Sequence, residues 1–424
     1  MSSNRVESVE AKSVRLRVSL WNDEREIELN LPKEWDVIEC RMAGHNFTPL
    51  TDLQIHEAFK NPMGTPRIRD LAQGKEKVVI LFDDLARPTP VYKVIPYVLK
   101  ELEEGGVKGD KIRLVCATGC HRPLIREEMV KKLGREVVEN YPIFNHNLYE
   151  HHVKMGTTSR GTPVWINREV ASCDLKIGLG GIIPHFTAGF GGGAKILLPG
   201  VSSIDTVAHN HLEFQKKYPE KIGLCKVKEN PVRLDMEEAA RIAGLDFVAD
   251  VVINHHKEIL GIFVGDFVKS HRQGVAFAKK VYSTENPGKF DLMVVNTFPI
   301  EEAPKKALWP VKEALNEGGD VVLIWQSAVG WHPHYLVSSF GSDYGGRKWE
   351  NPRHFRLPFA KRLFIYAESL SKVEQQWFGS EEKVFWHRDW GKVIEALKSV
   401  HGKGTQVVVY PYTTMQCPTI PDEY

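Results

Sequence analysis

The chain has 424 residues, more than one hydrophobic core usually serves, and length alone argues for about two to three domains. Hydrophobic residues at 42% exclude a disordered or fibrous protein. With 56 Lys and Arg against 54 Asp and Glu the net charge is +2, and no basic run appears, which argues against nucleic-acid binding by phosphate neutralisation.

There is no 18-residue apolar span, and the start MSSNRVESVEAKS is too polar for a signal peptide. The six cysteines (Cys40, Cys116, Cys120, Cys173, Cys225, Cys417) show no metal-knuckle spacing and read as reduced thiols. The expectation is a cytoplasmic protein with no membrane contact.

In chain order, VRLRVSLWNDEREIELNL at 14–31 alternates apolar and polar residues on both sides of Asn22 and predicts a β-hairpin. KVVILFDD at 77–84 is a continuous apolar run ending in two carboxylates, as in a strand buried on both faces. Apolar residues at helical spacing over 91–102 predict a helix, with Pro96 tolerable only in its first turn and Gly105 and Gly106 ending it. KIRLVC at 111–116 reads as a strand, 125–133 as a helix, and CDLKIGLG at 173–180 as a further strand before a glycine-rich loop. A second set holds strands at 290–296, 320–325, 362–367 and 405–412, with helices at 305–315 and 390–400. Strand–helix alternation predicts an α/β protein: two α/β domains with mostly parallel sheets and an active-site cleft between them. The boundary is expected in STENPGK at 283–289, separating a cofactor-binding domain, 1–282 completed by 413–424, from a closing domain, 288–412.

Three constellations follow strands directly, where open α/β sheets bind ligands. DDLARPTP (83–90) offers Asp83, Asp84 and the bidentate fork of Arg87, or else forms a salt-bridged turn. ATGCHRP (117–123) places His121 for acid–base work near neutral pH, or leaves it a capping residue; Cys120 beside it has no base at a recognisable spacing. GLGGIIPHFTAGFGGGAKILLPG (178–200) holds eight glycines and ends near Lys195, suiting close approach of backbone amides to a phosphate. It lacks the Walker pattern, and its interleaved apolar residues argue against a linker. A fourth, AHNH (208–211) with Asp205 nearby, offers one metal ligand more readily than two, since His209 and His211 on a helix face apart. His255, His256, His332, His334 and His387 are read as structural or surface residues.

Taken in this order, DDLARPTP, ATGCHRP, PHFTAGFGGGAK and PGVSSIDTVAHNH resemble the lactate racemase family, and NPVRLDMEEAARIAG and FVGDFVKSHRQG extend the resemblance over most of 77–275. The resemblance implies a racemase or 2-epimerase of a 2-hydroxy acid. Its cofactor would be a nickel-pincer nucleotide, pyridinium-3,5-bisthiocarboxylic acid mononucleotide carrying nickel, joined covalently to Lys195. It implies His211 as nickel ligand, His121 and His185 as acid–base pair, Arg87 as the substrate-carboxylate clamp, and Asp84 as a ribose contact. Gly189, Gly191, Gly192 and Gly193 would cradle the phosphate. Enzymes of cofactor synthesis would be transient partners.

The stretch PIEEAPKKALWP (299–310) departs from the family, placing Lys306 and Trp309 where lactate-specific members carry Gln and Lys. The substrate implied is therefore not necessarily lactate, with larger and sugar acids among the candidates. Two other readings stand beside this one: a metal-dependent hydrolase or Schiff-base lyase using Lys195, and a non-catalytic nucleotide-binding sensor.

Overall fold

A computed structural model describes residues 13–22, 24–301, 303–327, 330, 334–336, 357–378 and 382–419. The chain divides into two units, one of residues 1–46, 280–332 and 350–424, the other of residues 47–279 and 333–349. Both are α/β, and their sheets are mostly parallel.

The first unit is built on a six-stranded parallel sheet in the order Val384–His387, Ala360–Ala367, Leu315–Trp325, Phe290–Asn296, Gln406–Tyr410, Asp36–Glu39. The central strands bury both faces, as their continuous Val/Leu/Ile runs require. Ser13–Arg17 and Glu26–Asn30 form the expected hairpin, and Val14, Leu16 and Leu29 pack with Val294, Val322 and Phe364 of the sheet. The expected division at 283–289 lies at 279/280 in the contacts of the chain, and its course differs in three places. Residues 1–46 fall with the C-terminal strands, because Asp36–Glu39 adds in register to Gln406–Tyr410. Residues 413–419 fall there too, whereas 334–336 fall with the other unit. The helix expected at 305–315 is two short pieces, Pro304–Leu308 and Val311–Ala314; Pro310, which has no N–H to donate, stands between them.

Asp320 staples this sheet at the middle of the long strand Leu315–Trp325. Arg362, its register partner, donates from Nε at 3.0 Å, and His401 Nε2 lies 2.7 Å from the same carboxylate, which is 3% exposed. Burial pushes the Asp320 carboxyl up, but the bonds from His401 and Arg362 outweigh it and hold its pKa below the usual range. A lowered folded-state pKa means stability present above the unfolded value and lost as pH falls through the folded one. Asp320→Asn should therefore cost roughly 1.5–3 kcal/mol at neutral pH, the range for a bond to a charged group. The gap from wild type should narrow on acidification, as urea titrations along a pH series would read.

The second unit carries a six-stranded sheet in the order Ile259–Gly265, Phe247–Ile253, Leu175–Gly181, Val78–Phe82, Ile112–Cys116, Ile143–Asn145, parallel except where Ile259–Gly265 turns back. The chain enters at Val78–Phe82, runs outward through two strands, then returns to place Leu175–Gly181 on the other side. The carboxyl ends of those two neighbours form a topological switch point, where a crevice opens. The helix Val91–Glu104 buries Val94, Ile95, Val98 and Leu102 as its spacing predicts. Pro96, however, lies beyond the first turn, so the helix forgoes a bond to the Tyr92 carbonyl.

Candidate active site

The two strands of the switch point and their neighbour Ile112–Cys116 each deliver a loop to one cavity. Asp83, Asp84 and Arg87 come from the loop after Val78–Phe82, His121 from that after Ile112–Cys116, and His185, Gly191, Gly192 and Lys195 from the glycine-rich loop after Leu175–Gly181. His211 joins them from a π-helical turn, His209–Glu213. Asn210, fully buried, donates to Asp235 and to the Val232 carbonyl, which sets the rotation of that turn. His211 then meets the cavity, while His209 Nδ1 lies 2.8 Å from Thr162 Oγ1, so the two histidines do diverge. Asp205 is exposed and is not among the lining residues.

Hydrogen bonds set the tautomers of the two candidate acid–base histidines. Asp84 Oδ2 lies 2.6 Å from His121 Nδ1, and an ionised carboxylate can only accept, so His121 Nδ1 carries a proton, and in the neutral ring Nε2 carries the lone pair. Burial disfavours the Asp84 charge, but His121, then Arg87 and Lys132, outweigh it and hold its carboxyl far below the usual range. His185 is the opposite case. Its Nδ1 accepts the backbone N–H groups of Thr187 and Ala188, both at 3.2 Å, leaving Nε2 as the protonated atom of the neutral ring. Asp84 was expected as a ribose contact; its oxygens also accept from the Ala86 amide, at 3.1 Å, so both are already engaged within the protein.

The glycine run does something other than what its composition suggests. Gly193 N–H donates to Asp250 at 2.7 Å and Gly191 N–H to the Ile183 carbonyl at 2.7 Å, so these amides are turned inward. A Cβ on Gly192, whose φ is +74°, would stand 2.8 Å from Ile182 and 3.0 Å from Asp250; one on Gly189 would stand 2.1 Å from the Lys226 carbonyl. These glycines serve close packing of the loop, and Gly189 and Gly193 do not line the cavity. Asp250 beneath them is an acid whose pKa burial pushes up to about 7, so no phosphate cradle is read onto this stretch.

Several residues that hold the site were not singled out from the sequence, and His334 was read there as structural or surface. Lys132, fully buried, donates to the carbonyls of Asp84 and Arg87 and pairs with Asp83, tying down the 83–90 loop. Arg233 is likewise buried and donates to the carbonyls of Ala188, Phe190 and Gly192. His271 Nε2 donates to the Gly191 carbonyl at 2.9 Å. His334 lines the cavity, its ring set edge-on to His121 with centroids 5.2 Å apart. A cation on the apolar stripe of a helix, as Arg233 is beside Val232 and Met236, is the one signal the sequence held for these. Cys120 is buried and its thiol is pushed up to about 12, which leaves it inert as a nucleophile. Lys306 and Trp309 belong to the first unit and do not line this cavity; Trp309 Nε1 donates to the Thr413 carbonyl at 3.0 Å.

A family model described as the lactate racemase N-terminal domain matches residues 22–223. A lactate racemase of Thermoanaerobacterium thermosaccharolyticum is 32% identical over 378 residues, covering 84% of this chain and 88% of that one. The chain belongs to the lactate racemase family. A lactate racemase of Lactiplantibacillus plantarum is 34% identical over 279 residues, 64% of this chain and 65% of that one. In fold, the chain is similar to the lactate racemase apoprotein of T. thermosaccharolyticum, with a TM-score of 0.71 at 23% identity, covering 96% of this chain and 99% of that one. A Thermotoga maritima protein of solved structure aligns with a TM-score of 0.63 at 17% identity, over 86% of this chain and 97% of that one. Membership of the lactate racemase family makes the chain an enzyme, an isomerase of the racemase kind. No helix among the described residues is long and apolar enough to cross a membrane.

Proposed function

We propose that this enzyme inverts C2 of a 2-hydroxy acid, as a racemase or 2-epimerase, using a nickel-pincer nucleotide joined to Lys195. The observation that supports this most is the convergence of Arg87, His121, His185, Lys195 and His211 on one cavity. The donor set fits such a group. His211 is kept neutral, its pKa pushed down to about 3 by burial and by the charge of Lys195, and its buried Nδ1 atom lacks a hydrogen-bond partner. A neutral imidazole is the form that binds a metal. Among the described residues no three His, Cys, Asp or Glu side chains cluster as a metal site. A metal here needs a group that brings its own donors, with His211 completing the set, and sulfur plus imidazole suits nickel. Bound there, the nucleotide supplies a ring carbon that takes up and returns a hydride.

The chain's own residues do the rest. Arg87 holds the substrate carboxylate through its fork. His121, with Nδ1–H against Asp84, takes the C2 hydroxyl proton at Nε2, and Asp84 steadies the imidazolium that forms. His185 Nε2–H can donate a hydrogen bond to the substrate oxygen, but to give up a proton it must first become charged, with Nδ1 protonated and released from the amides of Thr187 and Ala188. Inverting the opposite stereoisomer exchanges the two roles, and there too His185 must release those bonds so that Nε2 carries a lone pair. Zinc-dependent hydrolysis finds no cluster of protein ligands among the described residues, and a sensor has no use for an aligned Asp84–His121 pair. None of the six cysteines, all of them buried, is joined in a disulfide, which supports a place in the reducing cytoplasm.

The test is protein made alongside the pincer-synthesis enzymes. Intact denatured mass and peptide mapping should show a nucleotide-sized adduct on Lys195, with nickel in the native sample. Chiral chromatography should then show single enantiomers of some 2-hydroxy acid becoming mixtures. Unmodified Lys195, in a host that loads another family member, would overturn the reading.

A further inference from the structure

The turn that carries His211 is a π-helical segment, a rare geometry found frequently at functional sites. Asp235, on the helix Pro231–Ala243 and 0% exposed, holds it from beneath. Three side chains converge on that carboxylate. Thr158 Oγ1 donates to Oδ1 at 2.6 Å, while Thr162 Oγ1 at 2.7 Å and Asn210 Nδ2 at 2.8 Å donate to Oδ2. The Thr162 hydroxyl has one proton and gives it to Asp235, so in its 2.8 Å bond with His209 Nδ1 the histidine donates. Two successive residues of the turn, His209 through Thr162 and Asn210 directly, are thus tied to one carboxylate just before His211. Rewinding the turn from π to α would shift its register by one residue, about 100° around the axis, and carry His211 off the cavity.

We propose that Asp235 is a positioning residue for His211, and that retention of the metal, rather than attachment of the nucleotide at Lys195, depends on it. The proposal rests on the pincer reading. Without the carboxylate, Thr158, Thr162 and Asn210 are left as buried donors with no acceptor, and they regain one only by letting the turn rewind or by drawing in water. Either way the imidazole is no longer fixed for the one coordination position it has to fill. Lys195 sits in a different segment, Gly193–Ile196. The loop leading into it is anchored by Asp250, Arg233 and His271, so the point of attachment keeps its place when Asp235 is lost.

The experiment exposes loaded wild type, Asp235→Ala, Asp235→Asn and Asp320→Asn to EDTA and follows nickel, by elemental analysis, against the Lys195 adduct, by intact mass. Asp235→Ala should lose nickel about ten- to a hundredfold faster than wild type, with the adduct intact. Asp235→Asn should keep most of the wild-type retention, since its amide oxygen can still face Thr162 and Asn210. Asp320→Asn, which weakens the other unit, should leave retention unchanged. Hydrogen exchange of the unloaded proteins reads the turn without the cofactor, and Asp235→Ala should speed exchange across 209–213. If Asp235→Ala does not fold, Thr162→Val takes its place, removing one bond to Asp235 and the acceptor for His209. Unchanged nickel retention, loss of the adduct along with the nickel, or an equal effect of Asp320→Asn would overturn the role of Asp235. Wild type with neither adduct nor nickel would overturn the pincer reading instead. Exchange then decides Asp235 alone: faster across 209–213 upholds it as the anchor of His211, and unchanged exchange overturns it.

Discussion

Asp84→Asn should lower kcat by about 10²–10⁴-fold with KM changed little, because the substitution alters which nitrogen of His121 carries its proton. The wild-type carboxylate accepts from Nδ1 at 2.6 Å, which leaves Nε2 unprotonated and stabilises the ring once it gains a proton. An amide in that place can turn its NH₂ toward Nδ1, favouring the opposite tautomer, and carries no charge to balance the imidazolium. The carboxyl of Asp84 stays ionised far below the usual range, since His121, Arg87 and Lys132 together outweigh the cost of its burial. Protonation of Asp84 therefore does not set the acid limb of the wild-type pH profile. Peptide mapping of the loaded variant separates this role from the ribose contact implied by resemblance. An intact adduct on Lys195 with kcat collapsed upholds alignment of His121. A full kcat in whatever fraction carries the adduct would give Asp84 to the nucleotide instead.

What the sequence makes legible, and what it hides, follows from how far each signal reaches along the chain. Val78–Phe82, Ile112–Cys116 and Leu175–Gly181 announce themselves because a strand buried on both faces must be apolar throughout, and the residues just past its end form the site. Asp84, Arg87, His121, His185 and Lys195 are readable for that reason. Lys132 and Arg233 are not, because a cation on a helix normally reads as part of a solvated face. They turn inward here because loop carbonyls near a site lack ladder partners and must find donors elsewhere. Asp36–Glu39 and His334 are hidden for another reason. Each lies in one stretch of chain and acts in a unit built mainly from another, a crossing that no local periodicity encodes. The glycine run misleads by composition alone: its residues are small because Asp250, Ile182 and the Lys226 carbonyl crowd them from the protein side.

Lys132→Met should be the most destabilising single change at the site, by about 3–5 kcal/mol, the range for breaking a buried ion pair by removing one partner. The ammonium donates to the Asp84 carbonyl at 2.9 Å and the Arg87 carbonyl at 3.0 Å, and pairs with Asp83, whose Oδ1 lies 2.7 Å away. Its removal leaves a carboxylate and two carbonyls without their donor, in a place where Lys132 is 0% exposed. Lys132→Arg is not a mild alternative, since a planar fork cannot reproduce three contacts converging on one nitrogen. Burial already pushes the Asp83 carboxyl up against the pull of Lys132, and without that pull it rises further. A neutral Asp83 is cheaper to bury, so the gap between variant and wild type should shrink as pH falls through that raised pKa. The double variant Lys132→Met/Asp83→Asn should regain more than half of the lost stability, because Thr89 can still donate to the side-chain oxygen at position 83. Urea midpoints of the four proteins complete the cycle. A loss below about 1 kcal/mol, or no recovery in the double variant, would mean that the 83–90 loop holds itself and that Lys132 is incidental to the placing of Arg87.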